Sequence, residues 1–257
     1  MKLGFAGSGN MAGAMARGWA GCISPPELML FADSGSGRAQ ALADEVGGRR
    51  VASLDELADR SDVVVLAVKP PGLDDAAGPI AGRVEAVISV LGATPLARLE
   101  PALAPSPVLR TMPNLAVEIR RGVICHTPVG ASGAALDGVL GLLGSLGTVI
   151  EVDEGDLDPA TAVMGCAPAY IALAAEALIE AGVEAGLDAE LSGRLVSEAT
   201  AGVGEHLRHR QPGSMQRAIA SPGGSTEAGL KELAARDVRA AFKAAVEASL
   251  ERMAGAR

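Results

Sequence analysis

Aromatic side chains are almost missing from this chain: three Phe, one Tyr and one Trp in 257 residues. Platforms that stack bases need several exposed rings, so the shortage argues against a single-stranded nucleic-acid binder. Positive charge is also short. Lys and Arg number 22 against 31 Asp and Glu, a net charge of −9, and no basic stripe interleaves with aromatics. A phosphate backbone is therefore not the expected partner. Cys22, Cys125 and Cys166 are odd in number and widely spaced, which fits neither a disulfide framework nor a zinc site. His126, His206 and His209 form no ligand cluster. The last two lie three apart on one helical face, but Arg208 and Arg210 beside them read as a solvated helix end, so no metal is expected. No run of ~18 apolar residues is free of charges or helix breakers, so neither a membrane span nor a membrane partner is expected. The chain enters a strand at once, without a signal peptide, which makes the reducing cytoplasm the expected location.

Glycine and apolar residues are plentiful, at 33 Gly and 49% hydrophobic. A chain of this length suits one or two domains. Lys2 to Ala6 is a short apolar run that fits a buried first strand. It breaks into Gly7-Ser8-Gly9-Asn10-Met11-Ala12 and a helix-like stretch to Ala20. Gly7 permits the tight turn, Gly9 lets backbone amides approach a pyrophosphate, and Ala12 keeps the helix close to the strand. The helix N-terminus then favours the negative charge of phosphates. The alternative is a Gly-rich turn without a ligand. Its position, directly after the first strand and opening a helix, favours the dinucleotide.

The second strand, Leu28 to Ala32, ends at Asp33-Ser34-Gly35-Ser36-Gly37-Arg38. An acid there accepts from a ribose 2′-hydroxyl and favours NAD, whereas Arg and hydroxyls receive a 2′-phosphate and favour NADP. Asp33 argues for NAD, while Ser34, Ser36 and Arg38 argue for NADP. Asp33 also reads as a turn residue or helix cap. NADP (NADPH) is the expected cofactor, with NAD open. Val63 to Val68 is a β-branched run suited to a strand buried on both faces, and it leads into Lys69-Pro70-Pro71. Ligands bind at the carboxyl ends of such strands, which places Lys69 near the cofactor; a solvated loop lysine is the alternative. Further strands are expected at Ala86 to Leu91, Val108 to Thr111 (leading into Met112-Pro113-Asn114), Val123 to His126 and Val149 to Val152. Helices are expected at Ala39 to Val46 and Ala134 to Leu146. The alternation makes this half α/β.

Strand signals stop near residue 152. Asp158 to Ala185 reads as one long helix, kinked or restarted near Cys166-Ala167-Pro168. Asp188 to Leu207, Gly213 to Ala220, Thr226 to Leu233 and Val238 to Met253 complete an all-helical half. The expected domains are residues 1–152 for the dinucleotide and 153–257 for helices. Ile171, Leu173, Ala174, Ala177, Leu178 and Val183 leave the first long helix few polar faces. A domain of this size has a limited core, so at least a homodimer through this half is expected. Packing of those faces on the Rossmann half, as a monomer, is the alternative. Within this half, Ser221-Pro222-Gly223-Gly224-Ser225-Thr226 looks like a small-anion cradle at a helix start; the plainer alternative is a structural turn capped by Ser225 or Thr226.

Gly7-Ser8-Gly9-Asn10-Met11-Ala12, Ala67-Val68-Lys69-Pro70 and Met112-Pro113-Asn114 resemble the N-terminal motifs of pyrroline-5-carboxylate reductases. Asp158-x-x-Thr161 through Gly165-Cys166-Ala167-Pro168-Ala169-Tyr170 is similar to that family's first C-terminal helix, and Pro212-Gly213 through Ser221 to Thr226, then Ala228-Gly229-Leu230, resembles its signature. The resemblance runs from about Lys2 to Met253. It implies an N-terminal Rossmann-type domain and a helical dimerisation domain, with active sites where they meet, and dimers or larger rings of dimers. It also implies NAD(P)H-dependent reduction of 1-pyrroline-5-carboxylate, a cyclic imine carboxylate, to L-proline. Two departures stand out: the family usually reads Gly-Ser-Gly-Pro-Ala-Tyr over residues 165–170, and Ala-Gly where this chain has Gly92-Ala93.

On this resemblance the cofactor residues are Gly7, Ser8, Gly9, Asn10, Met11, Ser34, Arg38, Ala67, Val68, Lys69, Pro70 and Asn114. The Ser221 hydroxyl and the amides of Gly223, Gly224 and Ser225 would hold the substrate carboxylate. Thr226 would hydrogen-bond the ring nitrogen, which makes Ser221 and Thr226 the catalytic candidates. Tyr170 reads as packing with a satisfied hydroxyl. Other readings remain open: a diverged cyclic-imine reductase, a 3-hydroxyacid dehydrogenase-like reductase using Lys231 or Lys243, and a non-catalytic dinucleotide-binding protein.

Overall fold

The computed structural model describes residues 1–33, 35–128 and 134–255. The chain divides into two compact units: residues 1–166 joined by the end of the chain from residue 249, and residues 167–248.

The first unit is built on one eight-stranded sheet: β1 (Lys2–Ala6), β2 (Leu28–Ala32), β3 (Arg49–Arg50), β4 (Val63–Leu66), β5 (Ala86–Ser89), β6 (Val108–Pro113), β7 (Gly122–His126) and β8 (Gly147–Glu151). Their spatial order is β3-β2-β1-β4-β5-β6-β7-β8. All neighbours are parallel except β6 and β7. Only residues 114–121 join that pair, too few for the crossover a parallel connection needs. The helices are α1 (Asn10–Ala20), α2 (Arg38–Val46), α3 (Leu54–Asp59), α4 (Leu73–Ile80), α5 (Leu96–Leu103), α6 (Ala134–Gly144) and α7 (Leu157–Ala160).

Alternation along the strands divides the core in two. Leu3, Phe5, Val63, Val65 and Ile88 point to one side, with Trp19. Val64, Leu66 and Val87 point to the other, with Leu57 and Ile80. Phe5 stacks on Phe31 at 4.8 Å and meets Trp19 edge-on at 5.9 Å. The Trp19 indole N–H donates to the Leu142 carbonyl, fixing α1 against the end of α6. These β-branched and aromatic runs are legible as strands because both faces of the parallel sheet are covered.

Four elements differ from the sequence expectation. Strand β3 is two exposed residues on an edge, too short to leave a pattern. Helices α4 and α5 contain Pro79 and Pro101, and prolines read as breakers hide them; α3 is only six residues. Yet Leu73, Ala76, Ala77 and Ile80 are all buried at the spacing of one helical face.

Arg110 on β6 is buried, and its guanidinium pairs with Glu154 at 2.9 Å and Asp158 at 3.6 Å. Glu154 also accepts from the Leu96 amide at 2.7 Å. This cluster pins the segment entering α7. The helix then passes through a π segment, Thr161–Cys166, into α8 (Ala167–Glu184). Pro168 has no N–H for the carbonyl four residues earlier, that of Met164. Asn114 Nδ2 donates to this carbonyl at 3.0 Å.

The second unit holds α8, α9 (Ala189–Leu207), α10 (Pro212–Ile219), α11 (Ser225–Ala235) and most of α12 (Val238–Ala254). Asp188 caps α9 by accepting from the Leu191 amide. The Tyr170 hydroxyl donates to the Ala245 carbonyl, tying α8 to α12. Little apolar surface is covered here: Ile171, Leu173, Leu178 and Leu195 are each more than half exposed. An open groove of about 470 Å³ runs between α8 and α9, lined by Leu178, Leu187, Leu195, Val196 and Val203.

The reading that no apolar run is long enough for a membrane span is corrected. By length and a mean hydropathy of 1.7, the helical run Glu154–Glu184 is long and apolar enough to cross a membrane. A kink or restart is expected from sequence near Cys166-Ala167-Pro168, but the backbone passes through the π segment and continues as helix.

Candidate active site

Where β1 and β4 lie side by side, the strand order reverses direction, and a crevice opens at their carboxyl ends. Gly7 leaves β1 with φ +104. A Cβ built there would stand 2.6 Å from the Ala67 carbonyl oxygen, so only glycine lets the two strand ends approach. Gly9 is the N-cap of α1 with φ −74, and no atom beyond its chain neighbours lies within 4 Å of a Cβ built on it. That open space at a helix N-terminus is the cradle a pyrophosphate requires.

The crevice has a volume of about 540 Å³, within the range of small-ligand sites. Gly7, Ser8, Gly9, Arg38, Ala67, Val68 and Lys69 all line it, so most of the cofactor residues expected from sequence come together. Asn10 lines an adjoining hollow with Arg38 and Arg17. Met11 packs against the core. Pro70 opens an exposed single turn, Pro70–Gly72. Ser34 lies outside the described residues. The Asn114 side chain is occupied elsewhere, accepting from the Val123 amide and donating to Met164. Leu54, Asp75 and Ala76 also line the crevice. Sequence reasoning missed them because they sit in or beside the proline-interrupted and short helices; the buried face of α4 was the available signal.

Asp33 also reaches this crevice, and its carboxylate is enclosed by donors. The Ser36 hydroxyl at 2.6 Å, the amides of Ala39 and Gly35 at 3.0 Å and the Ser8 hydroxyl at 3.4 Å all donate to it. The Ser36 hydroxyl first, then the two amides and Ser8, hold its carboxyl below the usual range, against the opposing effect of burial. Of the two sequence readings, the turn-and-cap role is the one its hydrogen bonds serve.

The second unit carries the Ser221–Thr226 turn, which ends as Gly224 caps α11. Gly223 has φ +74, and a Cβ on Gly224 would meet Ser221 Oγ and the Ser221 carbonyl oxygen at 3.1 Å. Two amides expected to face an anion are occupied within the turn: Gly223 N donates to Glu227 Oε2 at 2.8 Å, and Gly224 N donates to the Ser221 carbonyl at 3.0 Å. The first-turn amides of Ser225, Thr226 and Glu227 are left without an intrahelical carbonyl, and Ser221 and Thr226 are exposed beside them. Lys231 pairs with Glu227 at 3.2 Å and Lys243 with Glu247 at 3.7 Å, both largely solvated. Neither has the burial that tunes a catalytic lysine. Among the described residues, no three His, Cys, Asp or Glu side chains stand together as metal ligands.

Residues 154–255 match a sequence family described as pyrroline-5-carboxylate reductase dimerisation, and residues 2–92 match one described as NADP oxidoreductase coenzyme F420-dependent. A pyrroline-5-carboxylate reductase from Thermus thermophilus is 36% identical, covering 98% of this chain and 97% of that protein. One from Corynebacterium melassecola is 31% identical over 96% and 95%. Among solved structures, a Plasmodium falciparum pyrroline carboxylate reductase with NADP bound superposes with a TM-score of 0.86 at 29% identity, covering 100% of this chain and 98% of that one. A Streptococcus pyogenes 1-pyrroline-5-carboxylate reductase gives 0.88 at 29%, covering 98% of each. A 3-hydroxyisobutyrate dehydrogenase reaches only 0.51 at 17% identity and shares the fold alone. With identity above 30% sustained over nearly its whole length, and a glycine cradle that fits a dinucleotide, the chain belongs to the pyrroline-5-carboxylate reductase family.

Proposed function

We propose that this protein reduces 1-pyrroline-5-carboxylate to L-proline with NADPH, the last step of proline biosynthesis. The observation that carries the reading is the end-to-end match to reductases of that name, joined to a crevice whose glycines leave room for a pyrophosphate. When bound, the reduced nicotinamide supplies the hydride. The α1 amides and Gly9 would hold the pyrophosphate, Arg38 would receive the 2′-phosphate, and Ala67 to Pro70, at the end of β4, would contact the cofactor. Asn114 acts by bracing the turn after β6 against Met164.

On the second unit, the first-turn amides of α11 and the Ser221 hydroxyl bind the substrate carboxylate, aided by the helix dipole. Glu227 holds Gly223 in place and so sets the turn's shape. The Thr226 hydroxyl bonds the ring nitrogen. The imine arrives protonated and already charged, so the task of these residues is positioning, without a strong general acid. The functional division falls at residue 152, with 1–152 serving the dinucleotide and 153–257 the substrate and self-association.

The partner is a second copy of the chain, in a homodimer or a ring of dimers. The exposed apolar faces of α8 and α9 support this assignment, and so does the dimerisation family matched over residues 154–255. It also gives the apolar surface of Glu154–Glu184 a destination other than lipid. A cytoplasmic location agrees with three free cysteines, and the net charge of −9 with no nucleic-acid partner.

The test is loss of reduced-nicotinamide absorbance on adding 1-pyrroline-5-carboxylate, run with NADPH and with NADH. Turnover with proline as product supports the reading. Folded protein that binds NADPH but turns over only a different cyclic imine, or none, refutes it.

A further inference from the structure

An acid at the end of the second strand of a dinucleotide fold ordinarily accepts from the ribose 2′-hydroxyl and so selects NAD. Asp33 holds that position, but most of its hydrogen-bonding capacity is committed to its own loop. An ionised carboxylate offers about four acceptor sites, two on each oxygen; four donors meet this one, three of them on Oδ2, so Oδ2 is filled and Oδ1 is held by one amide. Oδ2 accepts from Ser36 Oγ at 2.6 Å, Ala39 N at 3.0 Å and Ser8 Oγ at 3.4 Å, while Oδ1 accepts from Gly35 N at 3.0 Å. Gly35 and Gly37, at φ +91 and +78, let the loop double back on the carboxylate.

The fold of this loop decides what faces the crevice. The single hydroxyl hydrogen of Ser36 is given to Asp33, and its oxygen lies 3.4 Å from the Arg38 amide. Ser36 therefore has no donor left for a phosphate. Arg38, at the first position of α2, is exposed and lines both the crevice and the adjoining hollow. The nearby Glu45 is engaged with Arg17 at 2.6 Å and 3.0 Å, which answers its charge.

We propose that Asp33 is a specificity-positioning residue: it gathers Gly35, Ser36 and Ala39 onto its own carboxylate, turns most of its acceptors from the ribose and presents the Arg38 guanidinium to a 2′-phosphate, so an acid that marks NAD in the sequence serves NADP in the fold. This rests on the reading that the protein binds NADP(H), and goes beyond it by assigning the preference to an internal anchor. The two roles of Asp33 predict opposite signs. If it anchors the loop, its removal weakens 2′-phosphorylated ligands and spares the rest. If it reads the ribose, its removal relieves repulsion of the phosphate and weakens NAD.

The experiment is titration calorimetry of the full chain with NADP⁺, NAD⁺, adenosine 2′,5′-bisphosphate and AMP, for the parent, Asp33→Ala, Ser36→Ala and Arg38→Ala. The last two ligands report the adenosine end without turnover. Arg38→Ala is expected to weaken the bisphosphate by about tenfold or more, the scale of a charge-assisted hydrogen bond, with AMP within about twofold of the parent. Asp33→Ala is expected to move the bisphosphate-to-AMP ratio in the same direction, by about fivefold to tenfold on the same scale. Ser36→Ala removes only one of the four ties and should shift the ratio the same way by less; it keeps the test standing if Asp33→Ala does not fold. A ratio that rises or does not change in Asp33→Ala, or in Ser36→Ala where that variant stands in, overturns the proposal while leaving the NADP reading intact. A parent that binds neither dinucleotide overturns both.

Discussion

Replacing Gly7 and Gly9 by Ala, one at a time, separates two roles within a single turn. At Gly7 the backbone has φ +104, and a Cβ would lie 2.6 Å from the Ala67 oxygen and 2.8 Å from its carbonyl carbon. A non-glycine residue in such a region costs about 1–3 kcal/mol. The overlap is with strand-end backbone, which cannot swing aside as a side chain can, and overpacking of that kind adds about 1–3 kcal/mol. The sum, roughly 2–6 kcal/mol, lowers Tm by about 5–20 °C for a chain of this size. At Gly9 the backbone has φ −74 and ψ −177, which Ala adopts freely, and the space around a Cβ is open. Gly9→Ala therefore loses only about 1 kcal/mol or less as a poorer N-cap. Its methyl occupies the cradle itself, so NADP⁺ affinity should fall about tenfold or more, the cost of one charge-assisted amide–phosphate hydrogen bond. Differential scanning calorimetry reads the first effect and isothermal titration the second. A Gly7→Ala protein melting within about 2 °C of the parent, or a Gly9→Ala protein that binds NADP⁺ as the parent does, would refute the reasoning.

Arg110→Met removes a buried guanidinium from Glu154 and from Asp158, itself 7% exposed, and should cost about 3–5 kcal/mol in chemical denaturation. Arg98→Ala breaks a solvated pair with Asp74 and should cost under about 1 kcal/mol. Thr226→Ala should lower kcat/KM about tenfold to a hundredfold, the scale of one hydrogen bond to a charged group, with NADPH affinity unchanged; parental kinetics would remove Thr226 from the mechanism. Leu195→Glu, on the exposed α8–α9 groove, should shift sedimentation from dimer to monomer at micromolar concentration, whereas a monomeric parent would refute the assembly. Ser36 and the other donors lower the Asp33 pKa in the fold. Its stabilising contribution is therefore present above the unfolded carboxyl range and disappears as pH falls through the folded value. The stability difference between parent and Asp33→Asn should accordingly shrink below about pH 4, and a difference constant down to pH 2 would contradict it.

Much of the first unit was legible in the sequence because its signals are local. Continuous apolar runs mark β1, β2, β4 and β5, since strands buried on both faces need no polar alternation. Gly7-x-Gly9 declares its role by its place after β1: Gly7 takes a positive φ that favours glycine, and Gly9 leaves open space at the start of α1. The helical half showed itself as five helical segments, which correspond to α8 to α12. Proline hid α4 and α5, and also the apolar continuity of Glu154–Glu184, because a missing N–H reads as a break while the fold supplies other partners or a π segment.

The sequence by itself determined which segments form the longer strands, where the dinucleotide turn lies and which turn opens α11, for each depends on neighbours within a few residues. Only the tertiary structure decided which donors and acceptors meet. It gave the carboxylate of Asp33 to its own loop, the amide of Gly223 to Glu227, the side chain of Asn114 to a carbonyl fifty positions away, and Arg110 to Glu154 and Asp158. A sequence counts polar groups, but a hydrogen bond is directional and short-ranged. Which role a polar residue plays is therefore settled by the partner that the fold brings within about 3 Å.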